Sequence, residues 1–78
     1  MLDDFQMKNM RISMPHRHTV RFQENGNILD YEVELIVGGV ILYRDNPKVI
    51  SGNLVDFDRE TKAVEVWLRR KFRRVVLG

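Results

Sequence analysis

Apolar and polar residues alternate along most of the first fifty positions. Met10-Arg11-Ile12-Ser13-Met14 places three apolar side chains on one side, the period of a strand. Pro15 has no N–H to give to a ladder and predicts the end of that strand. From His18 to Glu24 the alternation resumes, with Val20 and Phe22 on one face and Thr19, Arg21 and Gln23 on the other. Asn25-Gly26-Asn27 follows at once. Asn-Gly between alternating segments signals a hairpin, because both central turn residues need positive φ. The partner strand runs from Ile28 to Val37, with Tyr31, Val33, Leu35 and Val37 opposed to Asp30, Glu32, Glu34 and Ile36.

Gly38–Gly39 predicts a tight turn or a bulge. Val40 to Tyr43 is a short apolar strand closed by the turn residues Arg44-Asp45-Asn46-Pro47. Lys48 to Asp58 reads as a further strand bent at Ser51-Gly52, with Val55 and Phe57 on one face and Leu54, Asp56 and Asp58 on the other. A polar turn over 58–62 leads to Ala63–Leu68, where Val64, Val66 and Leu68 alternate with Glu65, Trp67 and Arg69. Residues 60–77 also admit a helix, which would gather Val64, Trp67, Leu68, Phe72, Val75 and Val76 into one stripe. In that helix Val66 falls opposite the stripe and Lys71 inside it, so the strand reading through Leu68 is preferred. Residues 69–77 then form another strand, or a basic extension ending in Val75-Val76-Leu77.

The pattern predicts a mainly β domain: a small SH3-like or Sm-like barrel or sandwich of five to six short antiparallel strands, with the C-terminal segment open to a helical reading. Residues 1–9 lack a clean period and read as an N-terminal extension, frayed or packed through Leu2, Phe5 and Met7. Residues 10–78 form one domain, since 78 residues cannot build two cores. A core this small favours self-association through exposed strand edges.

Composition narrows the classes. Hydrophobic types at 44% and charged types at 31% fit a globular chain rather than a disordered one. No apolar run is long enough to span a bilayer, and Asp3 and Asp4 precede the first basic residue, unlike a secretory signal, so the cytoplasm is the expected compartment and no membrane partner is expected. With no cysteine there is no disulfide frame, thiolate site or cysteine nucleophile. Charge is unevenly placed. Residues 69–78 hold five basic residues and no acidic one, whereas the rest of the chain holds eight basic and eleven acidic.

Two short stretches resemble known families. Gly52-Asn53-Leu54-Val55-Asp56-Phe57-Asp58, with Val64 after the turn, resembles the first signature of Sm-like RNA-binding proteins. Lys62 stands where that family usually carries a base-contacting Asn, so the resemblance implies the bent hairpin of a small barrel and no binding residue. Arg17-x-x-x-Arg21 resembles the arginine pair that opens PilZ domains, which bind cyclic di-GMP. Their second motif, Asp/Asn-x-Ser-x-x-Gly, has no counterpart in this chain.

Catalysis finds little support. Ser13 and Ser51 lie in no nucleophile elbow, and Gly38–Gly39 lacks the Lys-Ser/Thr of a phosphate loop. Asp56 and Asp58 share a predicted strand face but read as solubilising. His16 and His18 would place two imidazoles on one strand face with no further local ligand. The expectation is a non-enzymatic binding module without cofactor or metal. Its candidate site is the basic and aromatic stretch Trp67, Arg69, Arg70, Lys71, Phe72, Arg73 and Arg74. Arginine and lysine neutralise phosphates, and an indole facing out beside Arg69 would stack unpaired bases, so RNA or single-stranded DNA is the expected partner. The alternative is a structural or assembly module that uses strand edges and the apolar C-terminus to bind a partner protein or further copies.

Overall fold

A computed structural model describes residues 5–7, 10–53 and 56–78. Five strands follow one another as an antiparallel meander: β1 (Phe5–Met7), β2 (Met10–His16), β3 (Thr19–Glu24), β4 (Asn27–Ile36) and β5 (Gly39–Ser51). One helix, α1 (Phe57–Lys71), then crosses back, and β6 (Arg74–Leu77) pairs parallel to β5 at the sheet's far edge. A parallel neighbour requires such a crossover, and α1 supplies it. The domain is mainly β, as the alternation predicts, but the sheet is open and mixed rather than closed into a barrel.

The β3–β4 hairpin turns where the sequence predicts. Asn25 and Gly26 sit at φ 50° and 85°, and Glu24 pairs with Asn27 across them. At the other end of β4, Gly38 takes φ 76° in the two-residue turn to β5. Its neighbour Gly39 has a different constraint: a Cβ there would overlap the Arg74 carbonyl oxygen of β6.

Several boundaries differ from the alternation. β2 runs through Pro15 to His16, because a register shift between Ser13 and His16 takes the proline out of the ladder. Val40–Tyr43 and the segment after Lys48 are one strand, not two. The residues between Tyr43 and Lys48 bulge opposite Tyr31, so the ladder resumes beyond them. Leu54 and Val55 lie outside the described residues, as does Leu2.

The larger correction is α1. Residues predicted as a turn and a strand form fifteen residues of helix. Asp56, predicted on a strand face with Asp58, is its N-cap and accepts a hydrogen bond from the Arg59 N–H at 3.1 Å. Asp58 and Glu60 follow in the first turn, with Arg69, Arg70 and Lys71 in the last, matching both ends of the helix dipole. The helix buries Val64, Trp67 and Leu68 against Ile12, Val20, Phe22, Leu29, Tyr31, Val33, Val40 and Leu42. These sheet residues share one face. The other face carries polar pairs, including a two-pronged Arg21–Asp30 ion pair at 2.8 and 3.0 Å and a Tyr43–Glu34 hydrogen bond at 2.7 Å.

A candidate docking pole

The route of the chain gathers charge at one end. β5 starts at the β4–β5 turn and runs away from it, α1 brings the chain back, and β6 starts beside Gly39. The C-terminal turn of α1 and the entry to β6 therefore lie at the same end as the β4–β5 turn. The β2–β3 turn joins them there, with the Val33 N–H donating to the His18 carbonyl at 3.0 Å. This pole collects Arg17 from the β2–β3 turn, Arg69, Arg70 and Lys71 from α1, and Arg73 and Arg74 at β6.

At this pole an apolar side chain stands in water. Val37, in the β4–β5 turn, is 96% exposed, and Leu35 two residues before it is 44% exposed. Leu35, Met14, Trp67 and Phe72 floor a cleft of about 370 Å³ whose rim carries His16, Arg17 and Lys71. The lining includes no carboxylate among the described residues. The Lys71 ammonium lies over the Trp67 ring, 5.5 Å from its centroid, a cation–π contact at the edge of the cleft.

The predicted site residues thus divide. Trp67 does not face out beside Arg69. It is 3% exposed, with a buried Nε1–H that has no acceptor among the described residues. The strand reading put Val66 in the core and Trp67 outside, and the helix exchanges them. Arg69 donates from Nε and Nη2 to Glu65 Oε2 at 3.0 and 2.9 Å, which fits a structural i,i+4 pair. Phe72 is half-buried at the C-cap, its N–H bonded to the Leu68 carbonyl at 2.9 Å. Arg70 and Lys71 are exposed on α1, and Arg73 and Arg74 are exposed at the start of β6. His16 ends β2 and His18 lies in the turn, so the two imidazoles do not share a strand face. Among the described residues no cluster of three or more His, Asp or Glu side chains could hold a metal ion.

No family model, curated protein or solved structure matches this chain. The Sm-like resemblance ends in a helix at Phe57–Lys71, where that signature requires strand, turn and strand.

The site predicted from the sequence omits Leu35 and Val37, and Arg17 figures in the sequence reading only in the arginine pair that resembles PilZ domains. One signal was present: Val37 is an apolar side chain placed directly before Gly38–Gly39, at a turn that normally holds polar residues.

The opposite pole is built differently. Glu24 forms a close ion pair with Arg59, and Asp56 caps the helix beside it. Glu60 is 1% exposed, its Oε1 without a partner among the described residues and its Oε2 3.9 Å from the Arg59 guanidinium. Burial pushes its carboxyl above the ordinary value of 4.5. Tyr31 and Thr61 share a buried hydrogen bond of 3.0 Å, and burial raises the Tyr31 phenol.

Proposed function

We propose that this protein is a small non-enzymatic binding module that docks by its basic pole on an anionic lipid surface. One observation carries the reading: a valine almost wholly in water, in the β4–β5 turn, at the same end of the fold as Arg17, Lys71, Arg73 and Arg74. Basic residues near an anionic leaflet each contribute about 1 kcal/mol, and an apolar tip gains by leaving water for the acyl boundary. No helix among the described residues is long and apolar enough to cross a membrane, so the contact proposed is peripheral; it departs from the expectation, read from the sequence, of no membrane partner. Nucleic acid would use the same cations, but an indole 3% exposed offers bases no stacking face, and Val37 would gain nothing from a phosphate backbone.

Sedimentation with vesicles tests this. Binding is expected to phosphatidylcholine vesicles containing about a third phosphatidylserine, to fall with added salt, and to be absent on phosphatidylcholine alone. Replacing Arg73 and Arg74 together by Gln should weaken it about thirtyfold, and Val37→Asp about tenfold. Vesicle binding that ignores Val37→Asp would overturn the reading. Binding to a single-stranded oligonucleotide but not to vesicles would put nucleic acid in its place.

A further inference from the structure

The exposed flank of α1 forms a second cleft against β2, on the Met10 side of the same indole. Its floor is Met10, Ala63, Val66 and Trp67, and its rim is Arg59, Lys62 and Arg70. The cleft is half-open to solvent, with a volume of about 360 Å³, and no carboxylate lines it among the described residues. Val66 is 44% exposed here, an aliphatic side chain on the water-facing side of an otherwise amphipathic helix. Arg59 is held by Glu24, whereas the Lys62 side chain is 69% exposed and makes a looser ion pair, 4.0 Å, with Glu65, which an incoming carboxylate would have to share.

We infer that this cleft binds a single-chain anionic amphiphile, a free medium-chain alkyl carboxylate, with the chain along Met10, Ala63 and Val66 and the carboxylate at Lys62. The floor is almost entirely apolar, so a peptide laid there would leave its backbone groups without partners, whereas an alkyl chain has none to satisfy. Its volume lies at the low end of the roughly 300–1,000 Å³ of small-ligand pockets, enough to hold a chain of roughly ten carbons. Methionine at one wall adapts to a flexible chain. The charges at the rim select an anion over the neutral alcohol of equal length.

Trp67 is the sole tryptophan and lines both clefts, so its emission reports on either, and variants at Val66 and Lys62, which line only this one of the two, tell them apart. Decanoate kept below its micellar concentration should shift that emission saturably. Decanol should bind at least about tenfold more weakly, and acetate should produce no change. Val66→Asp should abolish the response and Lys62→Glu should weaken it about tenfold, with folding checked by circular dichroism. Should Val66→Asp fail to fold, Lys62→Gln, on an exposed side chain, gives the same answer for the charge. Val37→Asp, which removes the vesicle contact at the other site, should leave decanoate binding unchanged. A flat titration, equal affinity for decanol and decanoate, or a response indifferent to Lys62 would each overturn the inference. None of these results bears on the vesicle contact.

Discussion

The two ends of this molecule manage charge in opposite ways. At the helix N-terminus every charge close to the fold has a local use: Asp56 caps α1, Glu24 holds Arg59, and Arg59 faces the buried Glu60. At the other end cations from three separate segments share one pole with an exposed apolar turn, and Arg69 pairs with Glu65 on its own helix. The first arrangement stabilises the fold. The second gathers like charges that repel one another and adds nothing evident to the packing of the core.

The comparison breaks first where the two ends are joined. Trp67 packs beneath both clefts, and Trp67→Ala should cost about 3–5 kcal/mol in urea unfolding, enough to blur any difference between the poles. Next comes a change of sign. Because burial raises the Glu60 carboxyl, the folded protein holds that proton more tightly than the unfolded chain does. Its contribution is therefore present below the ordinary value of 4.5 and is lost as pH rises through the folded value. Glu60→Gln should be more stable than the parent at neutral pH, with the gain vanishing by about pH 4 in paired melts. A smaller effect is expected from Asp56→Ala, about 1 kcal/mol lost with the cap. The smallest belongs to the basic pole. Val37→Asp, and Gln for both Arg73 and Arg74, should leave stability within about 0.5 kcal/mol of the parent. A large loss from either would mean that this pole, too, is part of the scaffold.

The meander was legible in the sequence because its signals are local. Period-two alternation placed Val20, Phe22, Tyr31 and Val33 on one face, and Asn25-Gly26 fixed the turn between them. Closure of the sheet was not legible, since whether β6 meets β1 or stops beside β5 depends on contacts far apart in the chain. The helix was misread for an instructive reason. Val66 opposite the apolar stripe and Lys71 within it argued for a strand. In the fold, Val66 floors one cleft and Lys71 rims the other, its ammonium over the indole. The two residues that violate the amphipathic pattern are those that shape the candidate sites. Uneven charge marks the end of the chain that supplies most of the basic pole, but not Leu35 or Val37, which only the turns bring there.

The paired glycines after Val37 can be told apart by chirality. Gly38 has open space around it and a backbone angle that mirror-image residues prefer, so D-alanine introduced there by semisynthesis should stiffen the hairpin and hold the valine tip still. L-Alanine one position later would strike the backbone of the last strand and peel it away. A single methyl group, moved by one residue and inverted in hand, would thus separate a protein with a firmer tip from one that has shed its sixth strand.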